Sequence, residues 1–241
     1  VVYDGTHSDK RSDLITYQSY NEFSRGINSI PSSDANYTDN YKHIRRTNLL
    51  LQNAEAYAKP EDIKQYIGEA YFFRAYSYFD LLQLYGDVII TKKPLDITDP
   101  EMKVKRNDRS EVVDLIIDDL NHAVENLPAF KELTTEEEGR ISKEGAQAFL
   151  SRVALYEGTW QKSRNGNQNT QRSANLLDIA AKAARTVIDA KYGYTFRLFG
   201  TDSETKILGD SAQKYMFILE NEKSNPAGIK KSSNHEYIFA R

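Results

Sequence analysis

Apolar residues recur at helical spacing through most of the chain. From near Asp39 onward Ile44, Thr47, Leu51 and Ala54 return every three or four positions, with Leu50 beside them, which predicts a helix ending near Ala58. Pro60 followed by Glu61 and Asp62 opens a second, because proline fits the first turn and carboxylates favour the positive end of the helix dipole. That helix runs to Tyr85 and stops at Gly86. Its Tyr71, Phe72, Ala75, Tyr76, Phe79 and Leu82 cover nearly every side, so it is expected to be surrounded by others. Ser110, with Glu111 close behind, caps a third helix in which Val112, Ile116, Leu120, Ala123 and Leu127 keep the period until Pro128. A fourth starts at Ser142 and carries Ala146, Phe149, Leu150, Val153 and Tyr156 as far as Gly158. A fifth, over 174–190, turns Ala180, Ala184, Val187 and Ile188 inward.

The rest of the chain is less regular. Residues 1–36 are polar, broken by Gly5, Gly26 and Pro31, with one short helix expected near 17–23. Gly86 turns into an extended piece at 88–91, the Asn/Gln-rich stretch 163–172 reads as an exposed loop, a last short helix is expected at 211–219, and 235–240 reads as a strand. The expected fold is therefore mainly all-α: a tetratricopeptide-like helical-repeat bundle with inserted loops and a few short strands. It comprises a loop-rich lead-in (1–36), a helical-repeat core (37–199) and a partial, truncated C-terminal segment (200–241). The repeat pairs would be 60–85 with 110–127 and 142–158 with 174–190, small residues falling where the helices touch. An ordinary antiparallel bundle fits this pattern as well.

Composition narrows the functions. The chain has 241 residues, 39% hydrophobic and 28% charged, enough to bury a sizeable core. A formal net charge of -3 provides no positive field for a nucleic-acid backbone or an anionic membrane surface. Cysteine is absent, which removes thiolate metal sites and a cysteine nucleophile. The four histidines His7, His43, His122 and His235 are scattered, without a His-Glu-x-x-His pair, and neither a Gly-x-Ser-x-Gly elbow nor a phosphate-cradling glycine loop occurs. Asp118 and Asp119 are adjacent on a helix and point different ways, so they form no acid/base pair. The expectation is a non-enzyme without metal or cofactor. The apolar stretch 71–85 is too short to span a bilayer, which needs about 20 residues. What stands out is tyrosine, 16 of them with 10 Phe and one Trp, a side chain that suits both a core edge and a sugar-facing surface.

Further motifs go beyond bundle physics. Ile44-Arg45-Arg46-Thr47-Asn48 is followed by Gly68-Glu69-Ala70-Tyr71-Phe72-Phe73-Arg74-Ala75 and Tyr78-Phe79-Asp80-Leu81, then by Tyr85-Gly86-Asp87-Val88. Asp119-Leu120, Leu127-Pro128, Gly139-Arg140-Ile141-Ser142 and Ala146 to Val153 follow in order. In this order they resemble the SusD/RagB family of nutrient-binding lipoproteins, over about 41–199. The usual proline after the Tyr-Gly-Asp-Val turn is replaced by Ile89.

The resemblance implies a fragment of a longer lipoprotein, held by an anchor outside this chain at the outer surface of a Bacteroidetes-type outer membrane. Such a protein binds an oligo- or polysaccharide without turnover and delivers it to a TonB-dependent, SusC-like transporter. A helical-repeat interaction scaffold and a peptide-capture protein are the alternative readings. Sugar binding calls for an aromatic face flanked by groups that match hydroxyls. The segment 28–40 offers Asn28, Asp34, Asn36, Tyr37 and Asn40 just before the Arg-Arg helix, where family members contribute ligand contacts, with Tyr37 the first choice. Trp160, beside the 163–172 loop, is the second aromatic candidate. Arg45, Arg46, Glu69 and Arg74 are expected to be structural, with Glu69 paired to an arginine of the preceding helix.

Overall fold

The computed structural model describes residues 26–27, 29–137, 139–164, 170–219 and 221–238, and the short helix expected at 17–23 lies outside them, as does Asn28. The chain divides into two compact units, Val1–Thr38 and Asp39–Arg241. In the first, Asp34 starts a helix: its carboxylate accepts the Asn36 N–H at 2.9 Å, and its carbonyl accepts the Thr38 N–H at 3.1 Å. That cap moves the start of helix α1 (Ala35–Glu55) four residues ahead of the position read from periodicity.

The second unit is built from helices. Beyond α1, a 3-10 turn at Pro60–Ile63 leads into α2 (Lys64–Tyr85), and α3 (Arg109–Asn126), α4 (Lys143–Arg164), α5 (Thr170–Ile188) and the short α6 (Ala212–Met216) follow. α2 packs on α3 and α4 on α5 as two helical hairpins, and α3 against α4 joins them, the tetratricopeptide-like arrangement read from the sequence. α2 ends where Gly86 takes φ 72° and returns its N–H to the Leu82 carbonyl.

Two glycines set the packing distances. A Cβ on Gly68 would sit 2.8 Å from Leu127 Cγ and 2.9 Å from its backbone nitrogen, so α2 approaches the end of α3 along a bare backbone. Gly158 lies within 3.0 Å of the Leu177 side chain by the same measure. It is therefore a contact glycine inside α4 and not the stop that the sequence suggested, and the helix continues to Arg164. Aromatic rings fill the seam between α2 and α4. Phe149 stacks on Tyr76 at 5.4 Å and meets Phe72 and Phe79 at 5.5 Å, and Phe79 reaches Tyr156 edge-on at 5.4 Å.

Other boundaries differ for identifiable reasons. α2 is not covered on every side: Tyr66, Phe73 and Tyr76 share an exposed stripe. The third helix is preceded by Asp108 and not capped by Ser110, because Glu111 folds back to accept the Asp108 N–H at 3.1 Å. Residues 88–91 form no strand; Val88 makes one antiparallel bridge to Asn107. Of the strand expected at 235–240, residues 235–238 form none, since no neighbouring strand among the described residues completes a ladder there, and 239–240 lie outside the described residues. Past α5, Phe199, Leu208, Leu219 and Ile229 close a small satellite core around α6.

Candidate functional site

A buried polar network ties α1, α2 and α3 to the loop after α2. Arg74 donates from Nε to Asp119 Oδ2 at 2.8 Å and from Nη2 to Asp119 Oδ1 at 2.6 Å, and its Nη1 reaches Asn48 Oδ1 at 2.8 Å. Asn48 passes its own N–H to the Thr91 carbonyl at 2.9 Å. The Tyr78 hydroxyl accepts the Thr91 N–H at 2.8 Å and donates to the Thr91 carbonyl at 3.2 Å. Burial raises the Tyr78 hydroxyl above its ordinary pKa, which keeps it neutral and able to do both. Burial also pushes the Asp119 carboxyl upward, against the pull of the two Arg74 bonds. Asn48, Arg74, Tyr78 and Asp119 are all buried. The network reaches the backbone of Thr91 and Lys93 in the loop after α2.

Glu69 corrects the sequence reading. Its partner is not an arginine of the preceding helix but Arg140, from the turn before α4, which donates from Nε and Nη2 to the two carboxylate oxygens at 2.7 Å each. The Arg140 guanidinium lies 4.9 Å over the Tyr66 ring. Arg45 and Arg46 are exposed on α1, and Arg46 lines a surface groove.

The expected ligand residues are placed as follows. In the first unit, Asp34 is engaged in starting α1, Asn36 is exposed and Tyr37 half-buried, both on the helix's first turn. Asn40, half-buried, lies one turn further along α1 in the second unit. Trp160 is half-buried near the end of α4, with the Arg109 guanidinium 4.3 Å and that of Arg164 4.6 Å from its ring centre. Arg109 is itself held by the fully buried Glu157, through Nε at 2.8 Å. Trp160 is thus a ring engaged by two cations. Among the described residues no cluster of His, Asp and Glu is placed to hold a metal ion.

Residues 4–155 match the family described as starch-binding and associating with the outer membrane. The chain belongs to the SusD-like family. The match begins well before the 41–199 span over which the motifs were recognised, taking in the start of α1. A SusD-like protein of Formosa agariphila, P38, is 33% identical over 133 residues, which are 54% of this chain and 25% of that protein. A SusD-like protein of Bacteroides ovatus is 29% identical over 51% of this chain and 20% of its own length. Among solved structures, a SusD-like protein from Bacteroides fragilis superposes with a TM-score of 0.66 at 25% identity, over 92% of this chain and 36% of the other. A laminarin-binding SusD-like protein superposes with a TM-score of 0.58 at 25% identity, over 79% and 38%. The chain thus spans about a quarter of P38 and about two-fifths or less of these structures. Among the described residues no helix is long and apolar enough to cross a membrane.

Sequence reasoning missed two partners, Asp119 and Arg140. Asp119 carried a signal that could have been used: an acidic residue on the inward stripe of α3, in line with Leu115, Ile116, Leu120 and Ala123, must be paired if buried.

Proposed function

We propose that this chain forms the helical-repeat part of a cell-surface glycan-capture protein that binds without turnover and passes its ligand to a TonB-dependent, SusC-like outer-membrane transporter. The observation that carries the reading is membership of a family described as starch-binding and associated with the outer membrane. Similarity to a laminarin-binding relative supports it. Attachment to the outer surface is through a lipid anchor outside the helices described here. Tyr37 is the sugar-stacking side chain, with Asp34, Asn36 and Asn40 answering hydroxyls. Trp160 is the second aromatic contact, beside the Arg109 and Arg164 guanidinium groups.

Arg45, Arg46, Glu69 and Arg74 serve the scaffold in this reading, Glu69 and Arg74 through their carboxylate–guanidinium pairs. A second reading, a helical surface that grips protein or peptide, is favoured by Phe73 and Tyr76 on α2 and Leu155 on α4, which are 44%, 44% and 51% exposed. Affinity electrophoresis of the protein against a panel of soluble polysaccharides separates the two. Retardation by one glycan, abolished by Tyr37→Ala, is the expected result. No retardation across the panel would move the assignment to the protein-binding surface.

A further inference from the structure

The chain as a whole offers no positive field, but the loop between α2 and α3 concentrates one. Residues 92–106 carry five cations, Lys92, Lys93, Lys103, Lys105 and Arg106, against three carboxylates, an excess of two on a chain whose formal net charge is -3. Two of those carboxylates are engaged inside the loop. Glu101 pairs with Lys93 at 2.7 Å, and Asp99 accepts the Asp96 N–H at 2.9 Å. On the return leg Lys103, Lys105 and Arg106 are all exposed, and none has an ion pair among the described residues.

Apolar side chains stand out of the same loop. Ile97, Met102 and Val104 are 94%, 52% and 45% exposed. One such side chain on a surface is ordinary, but Met102-Lys103-Val104-Lys105-Arg106 interleaves apolar and cationic groups along five exposed positions. The loop is also held in place at its foot. Asn107 donates its N–H to the Val88 carbonyl at 2.9 Å and accepts the Ile90 N–H at 2.9 Å, and Asn48 donates to the carbonyls of Thr91 and Lys93 at 2.9 and 3.4 Å. Little ordering cost therefore remains for a contact to meet.

Two classes of anionic partner suit the cations, a lipid surface and a polyanionic glycan. The loop holds no aromatic ring on which a sugar could stack, whereas aliphatic side chains between lysines suit a headgroup layer, where the apolar parts sink and the cations stay at the phosphates. Charge also sets the orientation: -3 less the loop's +2 leaves -5 on the rest of the chain, so an anionic surface attracts this edge and repels the remainder.

We infer that the loop between α2 and α3 is a peripheral membrane contact, in which Lys103, Lys105 and Arg106 meet the phosphates of an anionic lipid surface and Met102 and Val104 enter its headgroup boundary. Ile97, at the tip beside the exposed Asp96, reaches no deeper than the headgroups. The inference is independent of the glycan reading, because none of the residues proposed for sugar lies in this loop.

Co-sedimentation of the protein with vesicles of phosphatidylcholine, alone and with phosphatidylglycerol added, tests the contact. Binding is expected only where phosphatidylglycerol is present, and it should weaken as salt is raised. The triple variant Lys103→Gln, Lys105→Gln, Arg106→Gln should weaken it about a hundredfold, at about fivefold for each cation removed. Met102→Ser with Val104→Ser should weaken it at unchanged charge. Lys182→Gln with Arg185→Gln, which removes two exposed cations from α5, should bind as the wild type does. Unchanged melting curves show that these surface substitutions leave the fold intact. No binding to phosphatidylglycerol vesicles at low salt would overturn the contact, as would binding that the triple variant retains or that the α5 variant loses equally. Capture by soluble alginate without any vesicle binding would assign the cations to a polyanionic glycan and overturn it as well.

Discussion

The Arg74 guanidinium grips the Asp119 carboxylate side-on, through Nε and Nη2, with two bonds 2.8 and 2.6 Å long, at a place where Arg74 is 5% exposed and Asp119 not at all. The pair joins the two helices of the first hairpin, and through Asn48 it also holds α1. A buried pair of this kind contributes little relative to a well-packed apolar pair, but breaking it leaves a charge without a partner. Arg74→Ala or Asp119→Ala should each lower unfolding stability by about 3–5 kcal/mol in urea titrations. The double replacement Arg74→Met with Asp119→Leu should recover most of that loss. A double variant as unstable as the sum of the singles would show that the losses are independent and do not come from leaving one charge unpaired.

Glu69 and Arg140 form a more exposed pair, with side chains 17% and 33% accessible, and solvent screens it. Glu69→Ala should lower the melting temperature modestly, with a coupling to Arg140→Ala of about 1 kcal/mol in a double-mutant cycle. Arg45→Ala and Arg46→Ala should leave that coupling unchanged. A coupling to Arg45 or Arg46 in place of Arg140 would contradict the geometry.

Gly68 and Gly158 make a matched comparison. An alanine at 68 would press on the Leu127 backbone nitrogen at 2.9 Å, which cannot swing aside. Gly68→Ala should therefore cost about 1–3 kcal/mol despite alanine's better helix propensity. At 158 the closest atoms, at 3.0 Å, belong to the Leu177 side chain, which can turn. Gly158→Ala should be the milder change by thermal denaturation, and equal costs would count against the close approach at Gly68.

Asp80, half-buried on α2, has its carboxyl raised above its ordinary 3.8 chiefly by burial, with Arg152 and His43 opposing. A carboxyl with a raised folded-state pKa favours folding while protonated, and that contribution is lost as pH rises through the folded value. Asp80→Asn should accordingly raise the melting temperature at pH 7, and the gain should vanish as the pH falls below 3.8. A gain that persists in acid would mean that burial of this carboxylate is not its source.

The helices themselves were legible because their cause is local. Apolar residues at three- and four-residue spacing, Pro60 at a start, Gly86 at a stop and Ser142 as a cap act within a few positions of chain. The motifs carrying Asn48, Glu69 and Arg74 were legible too, as markers of the family and of residues that need partners. Within the candidate sites the sequence could name Tyr37 and Trp160 as aromatic side chains, but not that two guanidinium groups lie against Trp160.

What the sequence determined by itself was the helical order, written in spacing along each segment, and the resemblance to a family, carried by several motifs in order; the hairpin pairing stayed open against an ordinary bundle. Only the tertiary structure decided that Glu69 takes Arg140, 71 positions away, that Arg74 takes Asp119, 45 away, and that Tyr57 and Tyr66 line one groove. It also decided that Gly158 is a contact and not an end. The physical reason is the same throughout: a helix period says which side of a segment turns inward, but a buried charge or a bare backbone finds its partner only when two helices have chosen their distance and rotation.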